Sequence, residues 1–191
     1  MCFKGTIRRP TPKVLLEEIE SLGAVTNAFT SQEYTGYWIK GNPSHLPEFI
    51  DILSDIYQHS TLPDTEIAKE KGVIIEEMNM YEDMPQYKVN DILFEMLYGD
   101  HAMARTILGS KESVRAFAKD DFISYKHRFY TAANTIVILA GNVHVPKATT
   151  LIKKGFGTLP SSKRNKRPPV SELQSKPSAR LFPKTTDQAH F

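Results

Sequence analysis

The chain has 191 residues, 40% hydrophobic and 24% charged, with a formal net charge of +2. This predicts a soluble globular chain of one domain, hiding about 70% of its unfolded surface, and the small charge gives no reason to expect a nucleic-acid partner. The single cysteine, Cys2, excludes an internal disulfide and an all-cysteine zinc site, no apolar run reaches the ~18 residues of a membrane span, and Met1-Cys-Phe-Lys-Gly-Thr6 lacks the apolar centre of a signal peptide.

Thr11-Pro12 is a helix entry, with a side-chain oxygen at the cap and proline in the first turn; the helix runs to about Leu22, where Gly23 stops it. Ala24–Ser31 and Glu33–Gly41 read as strands, the second rich in aromatic and β-branched residues. Leu46, Phe49, Ile50, Leu53, Ile56 and Tyr57 mark an amphipathic helix. Pro63-Asp64 opens the next one, which ends near Pro85, and a further helix covers Gln86–Tyr98. Ser110–Phe117 and Lys119–Tyr130 look helical, Thr135–Ala140 is the strongest strand pattern in the chain, and a last helix runs from about Pro146 to Lys154. Residues 159–178 hold Pro160, Pro168, Pro169 and Pro177 among serines and basic residues and read as an exposed connection; the tail from Ala179 is expected to begin another strand. Without strict βαβ alternation, the fold class is α+β, with helices packed on a largely antiparallel sheet. Both ends read as cuts: Met1-Cys2-Phe3 resembles the inside of an element, and the chain stops on Phe191 without a polar tail. A fragment of a longer polypeptide is expected.

Glu70 and Glu77 lie seven residues apart on the helix that opens at Asp64. Seven residues is almost two turns, so the carboxylates share one face with only ~20° of drift, separated along the axis by roughly 10 Å. Acids so spaced can serve one reaction centre, but not as joint ligands of one small ion; Glu76 faces elsewhere. A solvated surface helix carrying Glu66, Lys69, Glu70 and Lys71 as ordinary pairs accounts for the same spacing. Against it, Val73, Ile74, Ile75 and Met78 surround Glu77 and predict a helix buried on much of its circumference, where a carboxylate needs a cation or donors.

Met1-Cys-Phe-Lys-Gly-Thr6, Glu17–Gly23, Asn27-Ala-Phe-Thr-Ser31, Lys71-Gly-Val-Ile-Ile-Glu-Glu-Met78 and Arg105-Thr-Ile-Leu-Gly109, with Tyr130, Asn134 and Gly157-Thr-Leu-Pro160, resemble in order the pitrilysin and insulinase-type (M16) zinc peptidases, in particular the branch holding the mitochondrial processing peptidase β-subunit. The resemblance implies a chain forming one half of a two-domain unit. Residues 1–158 would be the metallopeptidase-like domain, 159–178 a linker and 179–191 the start of the next strand and domain. It implies a zinc cofactor, with Glu77 as metal ligand, Glu70 in the active-site network, and Asn27, Ala28, Phe29 and Thr30 as the edge strand that receives an extended substrate. Without the resemblance, those four residues read equally as an interior strand with Asn27 at a bulge. The family's H-x-x-E-H motif, two zinc-binding histidines and the general-base glutamate, lies directly before the segment matching Met1–Thr6 and is missing. The six histidines supply no substitute, since no two lie three or four residues apart.

These readings predict a zinc metalloendopeptidase fragment acting on extended polypeptide, inactive by itself and without tight zinc binding, whose partners are a peptide or protein substrate and a homologous second half or subunit. The alternatives are a non-catalytic partner subunit of the same fold and a metal-free peptide-binding module using residues 27–31. Lys163–Arg167, a basic run between serines and prolines, reads as solvated linker rather than as a nucleic-acid signal. The chain carries no compartment signal, and the cytoplasm is the default expectation.

Overall fold

Helix α1 (Pro12–Ser21) begins where its capping chemistry directs: Thr11 Oγ1 accepts the Val14 N–H at 3.3 Å, and Pro12 occupies the first turn. It ends before Gly23, whose φ of +63° is left-handed and whose N–H reaches Glu20 O at 2.9 Å. Leu15 and Ile19, one turn apart, are fully buried. Strands β1 (Val25–Thr30) and β2 (Thr35–Lys40) form an antiparallel hairpin in unbroken register from Val25↔Lys40 to Thr30↔Thr35. Helix α2 (Leu46–His59) comes next, then α3 (Asp64–Glu82), α4 (Pro85–Tyr98), α5 (Lys111–Ala116), α6 (Lys119–Phe129) and α7 (Val145–Phe156).

The computed structural model describes residues 1–163, 166–171, 174–185 and 189–191. Arg164 and Asn165 of the basic run, Glu172 and Leu173 of the expected linker, and Thr186, Asp187 and Gln188 of the tail lie outside the described residues. The chain divides into two compact units, Met1–Ala68 with Phe117–Lys166, and Lys69–Ala116 with Arg167–Phe191.

The first unit holds the main core. Cys2, Leu15, Ile19, Ala24, Phe49, Ile52 and Ile56 pack together, with Phe3, Leu22, Tyr37, Ile39, Leu53 and Tyr130 against them. Helix α7 comes close to α2 at Gly155, where a Cβ would stand 3.0 Å from Ile50 Cγ2 and 3.2 Å from Ser54 Cβ, and Gln58 Nε2 donates to Gly155 O at 2.7 Å. The opening segment is fixed by polar groups. Buried Thr6 donates to Asp55 Oδ2 at 2.7 Å and accepts the Arg9 N–H at 2.9 Å. Buried Arg9 spreads its guanidinium over Glu18 (2.6 and 2.7 Å), Asp51 (2.8 Å) and Asp55 (2.7 Å).

In the second unit, α4 packs against the short 3-10 turn Ala102–Ala104. Arg180 pairs with Glu95 at 2.8 Å, Lys184 with Asp83 at 3.0 Å, and Lys88 lies over the Phe182 ring at 5.5 Å.

The α+β class holds, with a sheet of two antiparallel strands. Three expectations need correction. Thr135–Ala140 is no strand: its residues alternate between half-buried and exposed, Ile136 and Ile138 being 86% and 79% exposed, but no described segment pairs with it in a ladder. β-branched residues favour an extended backbone; a strand also needs a neighbour. Likewise, residues 179–185 and 189–191 form no strand. Nor is α3 buried on much of its circumference, for Ile67 is its one buried residue and Val73 is 59% exposed. Apolar residues around Glu77 show what the helix can bury, not what covers it.

Candidate functional site

Strand β1 carries Asn27, Ala28, Phe29 and Thr30, all four exposed. The hairpin turn closes with Ser31 N–H donating to Tyr34 O at 2.8 Å, which makes Ser31·Tyr34 a hydrogen-bonded pair. Antiparallel pairs alternate, so Phe29·Gly36, Asn27·Trp38 and Val25·Lys40 also exchange backbone hydrogen bonds, while the N–H and C=O groups of Thr30, Ala28 and Thr26 point away from β2. Two contacts agree with that parity. Thr26 Oγ1 donates to Trp38 O at 2.7 Å, so this carbonyl faces β1, and the Ala28 N–H donates to Asn27 Oδ1 at 2.8 Å. Asn27 stands in register opposite Trp38 with no bulge. One face of the hairpin, through Tyr37 and Ile39, is anchored on the core. The other shows Val25, Asn27, Phe29 and Trp38 to solvent, with the Phe29 ring laid across Gly36, where a Cβ would meet Phe29 Cζ at 2.3 Å. β1 therefore presents an outer edge of three backbone stations, each two residues from the next.

Glu70 and Glu77 lie on α3, two turns apart and both partly exposed, within the second unit, while β1 belongs to the first. Tyr81, one turn beyond Glu77, has its phenol pKa raised, first by loss of hydration and then by the charge of the Glu77 carboxylate. Its ring rests on Tyr87 with centroids 4.6 Å apart. Glu76 points elsewhere, accepting from Asn79 Nδ2 at 3.3 Å. Lys71 is drawn to the far end of α5, donating to Arg115 O at 2.8 Å.

Among the described residues, no group of three histidine, cysteine, aspartate or glutamate side chains is placed to hold a metal ion. Glu77 is thus one carboxylate donor, and a zinc site closed by protein needs at least three ligands. The donors present do not fit a complete site. Nor is any described helix long and apolar enough to cross a membrane.

A cluster that sequence reasoning missed surrounds Cys2. Tyr37 and Tyr130 join their hydroxyls at 2.7 Å, Tyr57 bonds Thr135 Oγ1 at 2.7 Å and stacks on Tyr130 with centroids 4.5 Å apart, and the Ser60 hydroxyl donates to the buried Cys2 sulfur at 3.9 Å. Lys126 donates to Ser60 and stands 5.4 Å above the Tyr130 ring; burial lowers its pKa. Burial raises the pKa of both Tyr37 and Tyr130. These partners lie as far apart in sequence as Tyr37 and Tyr130, so no local pattern announces them. The cluster locks the opening segment to α2 and to the segment after α6.

Residues 1–111 match the sequence model of Insulinase (Peptidase family M16), and residues 116–191 that of the Peptidase M16 inactive domain. The chain belongs to the M16 peptidase family. It is 34% identical over 191 residues to the uncharacterized zinc protease YmxG of Bacillus subtilis (strain 168), covering all of this chain and 46% of that one. It is 39% identical over 157 residues to the human mitochondrial-processing peptidase subunit beta, covering 82% of this chain and 32% of that one. Among solved structures, a protease from Helicobacter pylori superposes with a TM-score of 0.80 at 23% identity, over 90% of this chain and 41% of that one, a likeness of fold. A putative M16-like peptidase from Alicyclobacillus acidocaldarius gives 0.70 at 27% identity, over 83% and 36%. The chain spans less than half the length of each of these relatives.

Proposed function

We propose that the chain is part of a zinc metalloendopeptidase that hydrolyses peptide bonds in extended polypeptide segments, and that by itself it is inactive. The observation that carries this reading is the edge of β1. Three outward backbone stations at Thr26, Ala28 and Thr30, on a hairpin whose inner face is anchored in the core, suit the addition of a peptide as a further strand. Such pairing reads an extended backbone first and side chains second. Asn27, Ala28, Phe29 and Thr30 are the proposed substrate-binding residues.

In this reading Glu77 is a metal ligand and Glu70 the acid that supports the site from two turns away. Zinc would need two further donors that the described residues do not supply, so no chemical step is assigned to these residues through the metal. Histidines supplied from outside the 191 residues would complete the set, and the partner is a homologous second half or second subunit. Residues 1–158 then form the metallopeptidase-like domain, 159–178 the linker and 179–191 the opening of a following domain.

The test joins an H-x-x-E-H helix directly ahead of Met1 in one polypeptide and measures zinc content after dialysis and cleavage of an unstructured peptide. Zinc-dependent cleavage is expected, and Glu77→Gln is expected to lose both metal and activity, whereas Glu76→Gln keeps them. Retention of zinc and full activity by Glu77→Gln would overturn the ligand assignment. The second reading, a non-catalytic partner subunit, draws support from the match of residues 116–191 to the inactive-domain sequence model. It predicts that the joined polypeptide binds peptide without cleaving it.

A further inference from the structure

We propose that Arg180–Lys184 is an internal ligand: it fills a docking groove of the second unit, formed by α4 and the end of α3, that otherwise takes the same extended, basic sequence from another chain. This goes beyond the zinc and β1 readings and depends on neither.

The segment has the form of a bound peptide. Pro183 keeps Phe182 out of the helical region and lacks an N–H of its own, so the backbone runs on without joining a ladder. Its side chains alternate: Arg180, Phe182 and Lys184 meet the groove, while Leu181 between the first two is 90% exposed. The groove answers them in reverse chain order. Glu95 takes Arg180 at 2.8 Å, Lys88 lies over the Phe182 ring at 5.5 Å, and Asp83 takes Lys184 at 3.0 Å. The segment therefore runs against the direction of α4, one contact after another, as a seated ligand does. Lys184 also donates to the Glu82 carbonyl. That carbonyl closes α3, where a helix leaves oxygens unpaired and its dipole favours a cation. The Glu82 side chain is held apart by Lys111 at 3.4 Å. Lys88 and Glu95 also line a cavity of about 410 Å³, so the segment sits at a concave place.

Each contact is weak. Exposed ion pairs and cation–π contacts are worth a factor of about 1.5 to 5 apiece. Less the cost of ordering the segment, three of them close the groove about 10-fold. Tethering acts as an effective concentration on the order of 1 mM, so the same sequence offered free is expected to bind the open groove with a Kd of about 0.1 mM. A hold of that strength is reversible, which is what exchange between an internal and an external segment requires.

The experiment titrates the ¹⁵N-labelled 191-residue chain with the free peptide Ala-Arg-Leu-Phe-Pro-Lys-Thr, the sequence of residues 179–185, and follows amide shifts. The double variant Arg180→Glu with Lys184→Glu opens the groove. Both side chains are partly exposed, so it is expected to fold. The peptide is expected to bind the double variant at least about fivefold more tightly than the parent chain, because only the open fraction is competent, with shifts at Asp83, Lys88 and Glu95. Equal affinities would overturn the internal ligand. No shift in the double variant up to about 2 mM peptide, well above the expected Kd, would overturn the groove. The separate variant Glu95→Arg repels Arg180 and the arginine of the peptide alike. It is expected to prefer, by at least about threefold, a peptide with glutamate in place of that arginine. No preference, or the opposite one, would overturn the seating of Arg180 on Glu95.

Discussion

Arg9 shows how a buried charge is made tolerable. Its guanidinium, on a side chain 6% exposed, meets three carboxylates, and only Asp55 among them is also buried, with a side chain 1% exposed. A buried ion pair stabilises only when its remaining polar atoms are satisfied; here Thr6 completes one oxygen of Asp55 and leaves Oδ1 without a partner. Asp51, partly exposed, takes hydrogen bonds from Arg8 at 2.9 and 2.7 Å and from Arg9 at 2.8 Å. The bonds from Arg8 lead, followed by those from Arg9, in holding its carboxyl below the usual carboxylate range against the opposing effect of burial. A folded-state pKa below the unfolded value means that the unfolded chain binds more protons. Asp51 therefore adds stability in full above the ordinary aspartate pKa of about 3.9, and that stability drains away as pH falls through the lower folded value. Thermal melts are expected to be flat from pH 7 to about 5 and to drop below about 4, with a shallower drop in Asp51→Asn. An identical acid slope in that variant would mean the pairing is without energetic weight.

Elements differ in how far local chemistry decides them. The start of α1 at Thr11-Pro12, its stop at Gly23, the hairpin, and α2 with its stripe of Phe49, Ile50 and Ile56 were legible in the sequence, because caps, turns and periodicity act within a few residues. The seven-residue spacing of Glu70 and Glu77 was legible for the same reason. What escaped was decided between distant residues: the reach of Arg9 to Asp51 and Asp55, the meeting of Tyr37 with Tyr130, and the unpaired state of Thr135–Ala140. Two predictions belong at this scale. Gly41, just after β2, faces Phe49 Cζ and Ala24 Cβ, which an added Cβ would approach to 2.6 and 2.8 Å. Both neighbours are buried, so Gly41→Ala is expected to destabilise by about 1–3 kcal/mol in urea melts; a neutral result would show that the α2–hairpin contact is loose. The run Thr135–Ala140 holds no charge, proline or glycine and exposes Ile136 and Ile138, a pattern that favours strand-to-strand association. Ile138→Lys is expected to suppress concentration-dependent light scattering while leaving the melting temperature within about 2 °C, as surface substitutions do. Scattering equal to that of the parent would place association elsewhere.

For the whole molecule, the family is plain from the sequence models and the relatives, while the proposed chemistry needs metal donors that the described residues do not supply. The proposed substrate edge lies in one compact unit and the proposed metal carboxylate in the other. As the proposed ligand, Glu77 would bring one donor where zinc needs three protein ligands. The decisive measurement is a zinc titration of the 191-residue chain against a chelating indicator at pH 7. No stoichiometric binding at submicromolar zinc is expected, and no difference between the chain and Glu77→Gln. One zinc per chain held at submicromolar affinity, and lost in Glu77→Gln, would refute the shared-site reading by showing that these residues complete a metal site unaided.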